Sequence, residues 1–320
     1  VALESFLSFS IICKSLFGWI GILKFTERLE PTLSNVKCSS VNLWPLYKEE
    51  WRSSLSGPSS ILGILNLNLF EAAVGMLPKQ RIGLYLYEQQ AWELGLINAW
   101  REEKHGSLIG VQHSTMLDWD MRYFHDPRNY KRSNSNDLPM PDRVAVNGPA
   151  IMEKSLEAGY PKANLFELEA LRYLYLLDLK KKNNTSSCKK TDAITLLVLG
   201  DYLESNTKIQ MGLLEDTLAN APMDISIIVK SHPAHLIDPA DYPSIDLKVT
   251  TKALEEILDM CDLAYTSPVT SAAVDAYCYG IPVITALDPS SLNLSPLRNY
   301  DGVFFVSSPS KLSDALYSVK

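Results

Sequence analysis

Three groups of polar residues in the second half of the chain stand where apolar runs end. Asp201 follows AITLLVLG, His232 follows ISIIVK and one serine, and Ser267, Thr270 and Ser271 follow LAYT. A carboxylate, an imidazole and a set of hydroxyls at strand ends suit a phosphorylated ligand. Hydroxyls beside the free N–H groups of a helix start form a phosphate cradle without needing a lysine. Helix capping accounts for any one of the three, but three in succession before YGIPVI are harder to assign to capping alone. Pro233 restricts the backbone of His232, and so the directions its imidazole can take. From there His232 could donate to a phosphate oxygen or stabilise a departing phosphate; a histidine satisfied by its own loop is the plainer alternative. Asp201 could serve as nucleophile, base or electrostatic stabiliser, or cap the next helix, although Asn206 looks the better cap. Glu204 is a weaker candidate.

The first half carries a second set. Glu88 ends the run RIGLYLYE, and Glu93 lies on the helix that follows, where Trp92 is expected to pack between helix and sheet. GVQHSTMLDWDMRYF then places Gln112, His113 and Ser114 at a strand end, with Asp118, Asp120 and Arg122 just beyond. Polar groups at this density beside aromatics suit a sugar-handling loop. Glu88 is the expected general base for an acceptor hydroxyl, provided that it faces the site.

Positioning these groups requires strands separated by helices. Before the polar stretch KKKNNTSSCKKT the predicted strands are 81–88, 107–114 and 142–148, with helices over 89–103 and 149–159. After it, strands are predicted at 193–200, 225–230, 245–250, 263–266, 282–286 and 302–307, with helices around 210–219, 253–260, 271–279 and 310–319. Short apolar runs between helices mark parallel sheets covered on both faces. The expected fold is α/β: two Rossmann-like domains whose parallel sheets face across a cleft lined by loops from the carboxyl ends of the strands. The boundaries are 1–179 for an acceptor domain, 180–191 for an exposed linker, and 192–320 for a nucleotide-sugar-binding domain.

Bulk composition narrows the function classes. The 320 residues are 46% hydrophobic and 21% charged, with a net charge of −7 and the signs interspersed. That balance suits a soluble globular protein and argues against a broad nucleic-acid-binding face. The five cysteines, Cys13, Cys38, Cys188, Cys261 and Cys278, are scattered without metal-ligand spacing, as expected of reduced thiols in the cytosol. Neither a metal nor another cofactor is expected. The opening SFLSFSIICKSLFGWIGIL is apolar, but Lys14 interrupts it. It reads as a core-packing helix, with a membrane-surface helix as the alternative.

Taken together, EQQAWE, GVQHST, NGPAIMEKSLEAGYPKANLFELEALRY, SHP and SPVTSAAVDAYCYGIPV resemble GT-B glycosyltransferases of bacterial surface-polysaccharide and capsule synthesis that use CMP-activated acidic sugars. The segments cover most of 81–289. By that resemblance His232 with Pro233 contacts the CMP phosphate, and Ser267, Thr270 and Ser271 bind it. The retaining β-Kdo transferases look closer still, and their pattern implies that Asp201 attacks the anomeric carbon to give a glycosyl-enzyme intermediate. Gln112, His113, Ser114 and Asp120 would contact acceptor or donor sugar. The paired-acid base motif of the sialyltransferases is not present as such near Glu88. DWD at 118–120 is the one lookalike of a metal-binding element, in the half that the reading gives to the acceptor.

The implied partners are a CMP-activated sugar donor and a glycan or glycolipid acceptor, without nucleic acid. The implied location is the cytoplasm, with peripheral contact to the inner membrane left open. Within the same fold, a UDP- or GDP-sugar transferase, a CDP-glycerol-type polymer transferase and a UDP-GlcNAc 2-epimerase are the alternatives. A non-catalytic scaffold is the alternative from another class.

Overall fold

Short apolar runs close into two parallel sheets, one in each half of the chain. The computed structural model describes residues 2–35, 37–38, 40–130, 138–183 and 194–318. They divide into two units: Val1–His113 with Arg122–Glu169, and Ser114–Met121 with Ala170–Lys320.

The first unit opens with helix α1 (Phe9–Leu33), a two-residue ladder of β1 (Lys37–Cys38) and β2 (Val41–Asn42), and helices α2 (Trp44–Ser56) and α3 (Pro58–Gly75). The expectation of a core-packing α1 is not met. Ser15 and Thr26 are its buried residues, whereas Phe9 and Phe17 are 82% and 75% exposed. Its contact with α3 includes a polar seam: the Asn68 amide donates to Ser15 Oγ at 2.9 Å, and Lys14 pairs with Glu71. The apolar stripe of Phe9, Ile12, Leu16, Phe17 and Ile20 therefore turns outward. By length and composition α1 is also apolar enough to cross a membrane.

Next come β3 (Ile82–Leu86), α4 (Ala91–Glu102), β4 (Ser107–Val111), β5 (Arg143–Val146), α5 (Pro149–Glu157) and β6 (Leu165–Glu167). The sheet order is β3-β4-β5-β6, all parallel. Gly83 lets α4 lie close to β3, because a Cβ there would come within 2.6 Å of the Trp100 ring. On the opposite face of β3, Ile82, Leu84 and Leu86 are exposed. As expected, Trp92 packs between layers, stacking on Phe70 of α3 and meeting the Tyr85 ring of β3 edge-on.

The second unit contains α6 (Tyr175–Asn183), β7 (Ile194–Leu199), α7 (Glu204–Asn220), β8 (Ile225–Lys230), β9 (Leu247–Val249), β10 (Leu263–Thr266), α8 (Ala272–Tyr279), β11 (Val283–Ala286), β12 (Val303–Val306) and α9 (Pro309–Ser318). Its strands run in the order β12-β11-β10-β7-β8-β9, all parallel. Successive strand residues point to opposite faces, so Leu196 and Val198 join one core while Leu197 and Leu199 join the other. This two-sided burial is why β7, β10 and β11 read as uninterrupted apolar runs, whereas the edge strand β9 carries Lys248 and has an exposed side.

Three expectations need correction here. Residues 180–183 belong to α6 rather than to a linker, and 184–191 lie outside the described residues. The unit boundary falls instead at Glu169–Ala170, because Tyr173, Tyr175, Leu176 and Leu179 pack into the core of the second unit. The helix predicted over 253–260 is two separate 3-10 turns, Leu254–Glu256 and Leu258–Met260.

Candidate functional site

In the second unit the chain winds outward from β7 to β8 and β9, then restarts at β10 on the other flank of β7. Such a reversal opens a crevice at the carboxyl ends of the two diverging strands. A pocket of about 420 Å³ lies there, lined among others by Gly200, His232, Pro233, Thr270, Ser271 and Arg172. Gly200 lets the end of β7 run against the next loop, since a Cβ would meet His232 N at 3.1 Å and Ser231 Cα at 3.3 Å.

His232 is fixed from its own loop. The Ala234 N–H donates to Nδ1 at 3.1 Å, which places the hydrogen of the neutral ring on Nε2. The Tyr202 ring meets the imidazole edge-on, with centroids 6.2 Å apart. Across the pocket, Ser271 precedes α8 without capping it through its side chain, and its hydroxyl accepts from the Arg172 guanidinium at 3.0 Å. Asp275, in the first turn of α8, is buried and accepts from the Tyr175 hydroxyl. Burial pushes its carboxyl above the ordinary range, while the Tyr175 bond and the Arg172 charge pull it back. One rim thus offers hydroxyl, guanidinium and imidazole donors beside a single buried acceptor. A phosphate flanked by a hydroxyl-bearing group matches that arrangement.

Two residues expected here are placed otherwise. Asp201 is 0% exposed and does not line the pocket. Its Oδ1 accepts from the Leu203 N–H at 2.9 Å; its Oδ2 accepts from the Asn206 amide at 2.9 Å and from the Ser267 hydroxyl. A carboxylate so enclosed presents no oxygen to the pocket, contrary to the expectation of a nucleophile there. Ser267, 2% exposed, spends its hydrogen on Asp201 and faces away from any phosphate. Asn206 is likewise no cap: it lies inside α7, bonded to Asp201. Glu204 pairs with Lys208 on the surface of α7. The structure therefore brings together His232, Pro233, Thr270 and Ser271, and separates Asp201 and Ser267 from them.

In the first unit, Glu88 and His113 meet at adjacent strand ends, with Nε2 3.1 Å from Oε1. Both stand about a third exposed, at 35% and 39% of their side chains. Glu93 is a buried anchor, its Oε1 accepting from the N–H groups of Glu88 and Gln90 at 2.9 and 2.8 Å. Gln112 is 4% exposed and donates its N–H to Ala145, so it prolongs the sheet instead of opening toward a sugar. Ser114 and Asp120 belong to the second unit, not to an acceptor domain. The segment that carries them is tied there by the Asp118 N–H to the Leu294 carbonyl at 3.1 Å and by Arg298 over the Trp119 ring. DWD thus stands in the second unit, not in the half that the sequence reading gave it, and outside the pocket. Among the described residues no three His, Cys, Asp or Glu side chains gather as a metal site.

Sequence reasoning overlooked Arg172, Tyr175, Lys230 and Asp275, all of which line the pocket. Asp275 had a signal, as the one charge in the apolar helix SAAVDAYCYG. Arg172 had none, because LEALRYLY precedes the polar stretch that was read as the domain boundary.

No family model matches the chain, and no curated protein is similar to it. Solved structures are. The UDP-GlcNAc 2-epimerase from Methanocaldococcus jannaschii aligns with a TM-score of 0.52 at 14% identity, over 82% of this chain and 76% of the epimerase. A putative UDP-N-acetylglucosamine 2-epimerase from Listeria monocytogenes aligns with a TM-score of 0.50 at 10% identity, over 82% and 71%. The likeness is one of fold. Two Rossmann-like α/β units with parallel sheets make this a GT-B architecture.

Proposed function

We propose that the protein is a glycosyltransferase that takes a sugar from a nucleotide-activated donor and passes it to a glycan or glycolipid acceptor of surface-polysaccharide synthesis. One observation carries this reading: a pocket at the winding reversal of a parallel sheet, rimmed by His232, Thr270, Ser271 and Arg172. The donors stabilise negative charge that builds on the departing phosphate, and Asp275 accepts from sugar or ribose hydroxyls. With Asp201 enclosed, the acceptor hydroxyl displaces the nucleotide directly, and Glu88 takes its proton. The fold likeness to two UDP-GlcNAc epimerases favours a UDP-linked donor over the CMP-linked acidic sugar that the sequence resemblance implies.

Thermal unfolding with UDP, CMP, GDP and CDP tests the reading. A nucleotide held at 100 times its dissociation constant stabilises the fold by about 2.7 kcal/mol. UDP is expected to raise the midpoint most, and the Arg172→Ala variant to lose that rise. A flat response to all four nucleotides would retire the proposal. A second reading, epimerisation, is favoured by the same two structures; formation of an epimer from UDP-GlcNAc without any acceptor would establish it in place of transfer.

A further inference from the structure

We infer that His113 is a positioning residue for Glu88: its Nε2–H holds the carboxylate in one orientation and the imidazole makes no sugar contact of its own. The inference rests on Glu88 being the base that the glycosyltransfer reading requires.

The pairing follows from sheet register. Leu86 of β3 lies opposite Val111 of β4, and Glu88 and His113 each stand two residues beyond that pair. Two neighbouring parallel strands thus deliver both side chains to the same level, where Nε2 and Oε1 are 3.1 Å apart. The main chain beneath Glu88 is already fixed. Glu93 Oε1 accepts from the N–H groups on both sides of Gln89, whose φ of 59° completes the tight bend. What stays adjustable is the Glu88 side chain itself, and His113 is the group bonded to its carboxylate.

The ring's other nitrogen decides the direction of that bond. His113 Nδ1 is buried and has no hydrogen-bond partner among the described residues. A hydrogen placed there would be an enclosed donor without an acceptor, so the ring hydrogen sits on Nε2 and is given to Glu88. With Nε2 occupied and Nδ1 sealed, the imidazole has no nitrogen left for a sugar hydroxyl. The carboxylate, about a third exposed, keeps room for one.

Two measurements on the full chain test this. Side-chain nitrogen NMR reads the ring without any substrate. The wild type is expected to hold the Nε2–H tautomer, and Glu88→Ala to keep that tautomer while the Nε2 resonance shifts on losing its carboxylate acceptor; an Nδ1–H tautomer in the wild type, or an Nε2 resonance unmoved in the variant, overturns the pairing. Kinetics with UDP-GlcNAc and a glycan acceptor then read its use. His113→Ala is expected to lower kcat about 100-fold with donor KM unchanged, the scale of a misplaced reacting group. His113→Gln, whose amide N–H reaches the same point, is expected to recover most of that loss, and His113→Ala on top of Glu88→Ala to add nothing. A raised acceptor KM at unaltered kcat, or additive losses, would make His113 a sugar contact instead. Absence of turnover with every donor would count against the glycosyltransfer reading, whereas the tautomer decides the pair by itself.

Discussion

Asp201 and Glu88 stand at equivalent points of their strands, each two residues past the first parallel strand of its Rossmann-like unit, and meet opposite fates. Asp201 is fully enclosed, with three donors on its two oxygens from α7, the loop before it and the end of β10. Glu88 keeps a third of its surface open and its carboxylate takes one imidazole. The difference lies in the sheets. β7 is central and covered on both faces, so a residue leaving it enters a crowded junction; β3 leaves one face open, with Ile82, Leu84 and Leu86 exposed. A strand end supplies an address, and the neighbouring strands decide whether the side chain works on a ligand or on the fold.

That contrast is open to attack by substitution. Asp201→Ala leaves the buried Ser267 hydroxyl and two part-buried donors without their acceptor and should destabilise the second unit by about 3 kcal/mol in urea unfolding. A variant as stable as wild type yet unable to transfer would restore Asp201 as a chemical participant. Ser267→Ala removes one of the three bonds and should cost about 1 to 2 kcal/mol, with UDP affinity unchanged by calorimetry. Glu88→Ala should shift stability by less than about 0.5 kcal/mol while lowering kcat by about 10²- to 10⁴-fold; a large loss of stability would mean that it too belongs to the scaffold.

The smallest effect concerns pH. Burial holds the His125 imidazole below its ordinary value of 6.5. The unfolded chain therefore binds the proton first, and the stability of the first unit declines as pH falls from 6.5 toward the folded value. His125→Phe should flatten that slope, as read from the melting midpoint between pH 7 and pH 5.

Much of the fold was legible because burial on both faces writes itself as continuous apolar runs, as in ITLLVL and VITA. LFE at β6 was too short to stand out, and the end of α6 was hidden by its lysines. In α1 the apolar period is helical, but part of it turns outward, because the buried positions toward α3 include the polar pair Ser15 and Asn68. At the site, hydroxyls before a helix and a His-Pro turn pointed to one rim, and His232, Thr270 and Ser271 do share it. The partners of Asp201 could not be foreseen: Ser267 lies 66 positions away in the chain, and only the strand order makes them neighbours.

The Asp201–Ser267 bond has a further consequence. It staples β7 to β10 at the very point where the winding reverses, so the floor beneath the pocket is a fixed plate. Adaptation to a different ligand, in evolution or by engineering, must therefore run through the rim, where Arg172 and His232 can be exchanged without reopening the sheet.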